Sequence, residues 1–144
     1  MIRKALHSDA AAAAALATKV FTSTATDILR EEFEALITND DAAIFLYFID
    51  NLPIGFAQCQ LRRDYVEGTE TSPVGYLEGV LVVKEFRNLG YGRELVQACE
   101  EWAKHKGCTE FASDCELHNT DSLAFHLHSG FYEANRIICF TKKI

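Results

Sequence analysis

Residues 79–95 read "GVLVVKEFRNLGYGREL": an apolar run, an arginine and two glycines at R-x-x-G-x-G spacing, then the start of a helical pattern. Glycine is among the poorest residues for a helix, so two of them at a helix start need another purpose. A strand that turns straight into a helix exposes backbone N–H groups with no intrahelical partner. Glycine removes the Cβ that would block close approach, successive amides then aim at one anion, and the helix dipole adds positive charge. Arg87 supplies a full charge. The amides of Asn88, Leu89, Gly90, Tyr91, Gly92 and Arg93 are thus a candidate site for a pyrophosphate, the alternative being a plain glycine turn. The spacing is not the dinucleotide-binding fingerprint, which has three glycines at G-x-G-x-x-G. Nor is it a P-loop, because no Lys-Ser/Thr pair follows the second glycine.

Outward from this turn, "VGYLEGVLVV" (74–83) predicts a long strand. Gly90 to Lys106 predicts a helix with Leu95, Cys99 and Trp102 on one face and Val96 and Ala103 beside them. It ends on Lys104, His105, Lys106 and Gly107, cations and glycine where a helix C-terminus favours them. Downstream, "TEFASDC" (109–115) reads as a strand, "DSLAFHLHSG" (121–130) as a short helix and "NRIICFTKK" (135–143) as the last strand. Upstream, "IRKAL" (2–6) is a short strand, and Ser8 or Asp9 caps an alanine-rich helix. A second helix, Ala25 to Ile37, carries Ile28, Leu29, Phe33, Leu36 and Ile37 at helical spacing. "AAIFLYFID" (42–50) and "LPIGFAQCQLR" (52–62) form a hairpin, and "RDYVEGTETSP" (63–73) is a polar loop. The order β-α-α-β-β-β-α-β-α-β gives a mixed α/β sheet with helices on both faces. Strands 76–83 and 109–115 should be joined by a right-handed parallel crossover.

A chain of 144 residues with 49% hydrophobic content suits one domain spanning 1–144. Its net charge of −7 disfavours nucleic acid or an anionic membrane and suits a cationic small substrate. The five cysteines, Cys59, Cys99, Cys108, Cys115 and Cys139, are odd in number and lack C-x-x-C spacing. They read as reduced thiols of a cytoplasmic protein, with no metal site. No window approaches a membrane span.

The segment "VLVVKEFRNLGYGRELV" (80–96) resembles the GNAT superfamily of N-acetyltransferases, in which "LVV" followed by Q/R-x-x-G-x-G/A binds acetyl-CoA. "ELHNTDSLAFHLHSGF" (116–131) is similar to the second half of that pattern. More narrowly, "LRRDYVEG", "SPVGYLEGVLV", "EFASD", "NTDS", "HSGF" and "RIICFTKK" resemble blocks of the aminoglycoside 6′-N-acetyltransferases. The resemblance covers essentially the whole chain. It implies the GNAT fold: α/β (α+β), a mixed, mostly antiparallel sheet whose central parallel strand pair splays open. It further implies that the pantetheine arm lies along strand 76–83, bonded around Leu81, Val82 and Val83, with Asn119 reaching it from across the gap. An amide left unpaired by the splay would hold the developing oxyanion. Gly79 either marks a bulge that opens the gap or admits a close neighbour. A homodimer through the C-terminal strand is implied as well.

The chemistry implied is attack of a primary amine on a thioester. An aliphatic amine titrates at about 10.4, so a base or an acidic setting must deliver its neutral form. Glu78 and Asp114, acids within or at the end of core strands, are each a candidate base, unless a structural arginine satisfies them. By resemblance both hold substrate ammonium groups, and Tyr65 is a substrate-contacting aromatic. His126 stands four residues before the "GF" glycine, where many family members have tyrosine. It either protonates the departing thiolate or packs beneath the cofactor. His118 and His128 read as surface residues, and Cys115 is not required, since direct transfer forms no acyl-enzyme. The narrower family often has tryptophan after the first helix and an acid before the last strand; here Phe21 and Asn135 stand on the substrate side. Phe21 keeps an aromatic wall, while Asn135 removes a charge and shifts the burden to Glu78, Asp114 and Asp27, Glu31 or Glu32. The sequence thus reads as an acetyl-CoA-dependent aminoglycoside 6′-N-acetyltransferase. The alternatives are acetylation of a peptide N-terminus, a polyamine or another small amine, and a non-catalytic acyl-CoA sensor.

Overall fold

Near-continuous apolar runs between Ala42 and Arg62 build the centre of a sheet whose two faces are both covered. A computed structural model describes residues 1–144. Its strands are β1 (Ile2–Lys4), β2 (Ala42–Ile49), β3 (Leu52–Arg62), β4 (Val74–Val82) and β5 (Phe111–Ser113), in the order β1-β2-β3-β4-β5. All neighbours are antiparallel except β4 and β5, which are parallel. The β2–β3 hairpin turns on Asp50 and Asn51, with φ of 49° and 63°, a left-handed pair these two residue types tolerate.

Helices α1 (Ala10–Ala17) and α2 (Thr26–Ile37) cover one face through Ala13, Ala14, Ala17, Leu29 and Phe33, packed on Ile44, Leu46 and Phe56. The alanine run is thus a contact surface, its small side chains bringing α1 close to the strands. Helix α3 (Tyr91–His105) covers the other face, with Leu95, Val96 and Cys99 on Ala43, Ile54, Ala57, Cys59 and Leu77. A Cβ on Gly75 would lie 2.6 Å from that of Ala103, so β4 and α3 approach closely there. No helix is long and apolar enough to cross a membrane.

Two features decide where a site forms. Beyond three pairings, ending at Leu77 with Ser113, β5 stops and β4 continues to Val82 with no neighbour on that side. The parallel pair does splay. A bulge also falls where β3 pairs Gln58 with Gly79 and Cys59 with Leu77, leaving Glu78 as the extra residue. The bulge lies beside Gly79 on its β3 side, opposite the gap, and the absent side chain of Gly79 admits Phe21, whose Cζ would lie 2.9 Å from a Cβ there.

Three expectations are corrected. Ser8 does not cap α1, and Asp9 holds its N-cap position without a side-chain capping bond: a 3-10 turn (His7–Asp9) precedes the helix, and the Asp9 carboxylate accepts from the Leu6 amide at 2.7 Å and from Arg3 at 2.6 Å. Strand 109–115 shrinks to its three central residues. The expected last strand, 135–143, is absent from the sheet, which leaves the parallel pair at the β5 end instead of the middle. Ala134 and Asn135 lie on Gly68 and Glu67 of the 63–73 loop, and beyond them Ile138 and Phe140 stand 82% and 90% exposed. A segment apolar on both sides needs cover on both sides, and the single chain has none to give it.

Helix α4 (Thr120–His128) closes the fold after β5, its end marked by Gly130 at φ 94°. The hydrogen bond from Arg3 holds the Asp9 carboxyl below the ordinary aspartate range. A depressed carboxyl contributes stability that is present above its unfolded value of about 3.9 and is lost as pH falls through the folded one. Asp9→Asn should therefore lower the melting temperature at pH 7, and thermal unfolding at pH 3 should find the gap from the wild type narrowed.

Candidate active site

The turn between β4 and α3 has the geometry that its glycines suggest. Asn88 and Gly90 take left-handed φ values of 63° and 89°. The first intrahelical bond of α3 runs from the Glu94 amide to the Gly90 carbonyl at 3.1 Å. The amides from Asn88 to Arg93 consequently have no partner within the chain, and they stand at the positive end of a 15-residue helix. Arg87 donates from Nε to the Val82 carbonyl at 2.8 Å, which holds its guanidinium beside them with the terminal nitrogens left over.

The two glycines differ in purpose. Nothing lies within 4 Å of a Cβ on Gly90, where conformation demands glycine and the space is open. A Cβ on Gly92 would lie 2.9 Å from Phe125 Cε2, so its absence lets α3 pack close against α4.

Along β4, the Val83 amide is given to the Ile54 carbonyl at 2.8 Å, whereas the Val82 carbonyl faces the other way, towards Arg87. Backbone groups alternate along a strand, so Leu81 and Val83 bond β3, and Val80 and Val82 present theirs to the gap. Of the three residues expected to bond an extended ligand arm, only Val82 faces it. Asn119 is first a helix cap: its Oδ1 accepts from the Ser122 amide at 3.0 Å, leaving its NH₂ group over.

The two acids are joined through residues that the sequence reading missed. Arg62 donates from Nε and Nη2 to both oxygens of Glu78 at 2.9–3.0 Å, and its guanidinium stacks 3.5 Å from the Tyr76 ring centroid. The Tyr76 hydroxyl donates to Asp114 Oδ2. Burial, then the hydrogen bond to Asp114, push the Tyr76 phenol well up, so it stays a protonated donor. Glu78 is thus matched by an arginine, while Asp114 keeps a second oxygen for another partner. Glu78 also lines a cavity of about 140 Å³ with Phe21, Glu32 and Gln58. Of the other acids considered, Asp27 and Glu31 do not line it.

His126 reaches the mouth of the gap, its Nε2 2.8 Å from Ser113 Oγ and its Nδ1 2.7 Å from the Ser122 carbonyl oxygen. Tyr65 is not gathered with these groups; it stands 77% exposed on its loop. Asn135 donates to Glu67 at 2.7 Å, away from the acids' network. Period-2 spacing places Tyr76 and Glu78 on one side of β4, but the partners from β3 depend on a register that the bulge shifts, which hid Arg62 and Gln58. Ser113 had no signal beyond its place in a strand. No three His, Cys, Asp or Glu side chains converge on a possible metal site.

Residues 10–131 match the family described as Acetyltransferase (GNAT) family. An aminoglycoside N(6')-acetyltransferase type 1 of Stenotrophomonas maltophilia is 39% identical over 139 residues, 96% of this chain and 90% of that one. One of Acinetobacter baumannii is 42% identical over 119 residues, 82% of each. Among solved structures, AAC(6')-Iy in complex with the bisubstrate analogue CoA-S-monomethyl-acetylneamine superposes with a TM-score of 0.95 at 33% identity, over 100% of this chain and 98% of that one.

The role given to Gly92 is open to a double-mutant cycle. Gly92→Ala should cost about 1–3 kcal/mol by overpacking against Phe125. In a Phe125→Ala background the same change should be neutral or stabilising, because alanine is the better helix former. Urea unfolding of the four proteins measures both legs.

Proposed function

Because the chain belongs to the acetyltransferase (GNAT) family, we propose that it transfers the acetyl group of acetyl-CoA to the 6′ amine of an aminoglycoside, by direct attack within a ternary complex. The observation that carries this reading is the unpaired edge of β4, which ends in the free amides of residues 88–93 on one side and lies beside two acids on the other. An extended pantetheine arm adds to that edge as a strand would, bonding Val82 and its gap-facing neighbour. The pyrophosphate then falls on the amides beside Arg87. The thioester carbonyl at the splay meets unpaired amides aimed at its developing negative charge. Kinship to enzymes named for aminoglycoside acetylation, one of them held on a neamine bisubstrate analogue, supports the amine's identity. It outweighs the peptide, polyamine and sensor readings.

Of the two acids, Asp114 is the better base. Arg62 already compensates Glu78, whereas Asp114 is held only by a neutral hydroxyl and keeps its charge for an ammonium. Glu78, with Phe21 and Glu32, shapes the side of the cleft where further ammonium groups sit. Tyr65 and Asn135 would contact the substrate only if their loops close over it.

The C-terminal segment supports a homodimer. Its Ile137, Ile138 and Phe140 are exposed and apolar, and a second copy offers both an open β5 edge and an identical segment in return. Five free thiols suit a reducing cytoplasm.

Thiol release from acetyl-CoA should depend on kanamycin or tobramycin and be weaker with spermidine or a peptide amine. Asp114→Asn should reduce kcat/KM at least about 10²-fold, as loss of a general base does, with Glu78→Gln weighing more on KM for the antibiotic. Unchanged turnover in Asp114→Asn removes Asp114 from the mechanism. Sedimentation should give a dimer that dissociates when residues 133–144 are deleted.

A further inference from the structure

Both ring nitrogens of His126 are already engaged by protein groups. Nδ1 lies 2.7 Å from the Ser122 carbonyl oxygen, which can only accept, so Nδ1 carries a hydrogen and donates it. Nε2 lies 2.8 Å from Ser113 Oγ, and that oxygen lies 3.2 Å from the Leu77 carbonyl oxygen. Ser122 Oγ also lies 3.3 Å from Nδ1, so that side of the ring is closed by Ser122 alone. A proton on Nε2 leaves the ring through the Ser113 hydroxyl.

Ser113 and Leu77 are the last paired residues of β5 and β4, so this hydroxyl stands where the strands part. It has one proton and faces two acceptors. When Nε2 is a bare lone pair, it competes with the Leu77 carbonyl for that proton. When Nε2 carries a hydrogen, it donates to Oγ, and the hydroxyl proton is released to Leu77 or to a third group in the gap. Protonation of the ring and the direction of the serine hydroxyl are thus one coupled event.

We propose that Ser113, not His126, delivers the proton to the thiolate that leaves during acetyl transfer, and that His126 resupplies it. The proposal rests on the acetyl-transfer reading above. As the new N–C bond forms, the C–S bond breaks and its electron pair passes to sulfur. The surplus proton of the acylated nitrogen goes to Asp114 or to water. Sulfur takes the hydroxyl proton of Ser113, and Ser113 Oγ takes the proton on Nε2. The ring is left neutral with its hydrogen on Nδ1, and solvent restores the proton on Nε2 once the products depart. The sum is amine and thioester converted to amide and thiol.

In this scheme Ser113 is the catalytic residue and His126 a positioning residue and proton reserve. Ser113→Ala should lower kcat about 10²-fold, the scale of one general acid, with KM for acetyl-CoA within about two-fold. Ser113→Thr, which keeps the hydroxyl, should restore most of it. Ser113→Ala combined with His126→Gln should lose no more than Ser113→Ala alone, because the two groups act in series. Full kcat in Ser113→Ala, or losses that multiply, would overturn the proposal. A second readout needs no substrate: the ¹⁵N resonance of His126 Nε2 should move in Ser113→Ala while Nδ1 keeps its position. An unmoved Nε2 rejects the contact on which delivery depends. A wild-type protein that releases no thiol with any amine rejects the acetyl-transfer reading, and delivery with it, even where the nitrogen shifts reveal the bond.

Discussion

Everything at the candidate site depends on β4 having a neighbour for three residues and then none. Unpaired backbone in a sheet interior is costly, because each N–H and C=O removed from water needs a partner. Here the cost falls on the stretch from Glu78 to Val82, and the neighbouring structure offsets part of it. Arg87 returns from the turn to take the Val82 carbonyl, and Ser113 takes that of Leu77 at the point of divergence. What remains is a strand edge with free donors in a cleft, and a thioester-bearing chain is one ligand that completes it.

The charge at the cleft is managed by a chain of contacts crossing three strands. A lone carboxylate at the bulge of β4 would be expensive to desolvate, and the bidentate Arg62 removes that difficulty while neutralising Glu78. Arg62 in turn lies on Tyr76, whose hydroxyl orients Asp114. A neutral donor fixes a carboxylate without cancelling it. The network therefore divides two similar residues between two tasks, one structural and one available for a cation, and the division follows from which partner each has.

The sequence made the elements legible because each carries its own pattern: the apolar runs of β2 to β4, the helical face of α3, and glycines at the two helix ends. The run of free amides around Gly90 was readable for the same reason, being built from consecutive residues. The neighbour of Gly92 was not readable, because a glycine at a helix start looks the same whether or not a phenylalanine from another helix lies opposite. Arg62, Tyr76 and Ser113 were invisible for a related cause. Their importance comes from neighbours across strands, and one bulge shifts every such neighbour along β3 and β4. Glu78 and Asp114 were found because charge in an apolar strand is conspicuous by itself.

The C-terminal segment marks the other boundary of what one chain can specify. "RIICF" has strong strand character by composition, yet strand character describes a fit to neighbours on an edge and two faces. Ala134 and Asn135 fasten the start of the segment to the 63–73 loop, and beyond them the chain meets no edge of its own sheet. The same loop carries Tyr65, and its other end leads through Pro73 directly into β4. Ile137, Ile138 and Phe140 thus follow directly on the contact that supports this loop. Asn135, through its bond to Glu67, therefore ties the C-terminal segment to the loop that carries Tyr65 and enters β4.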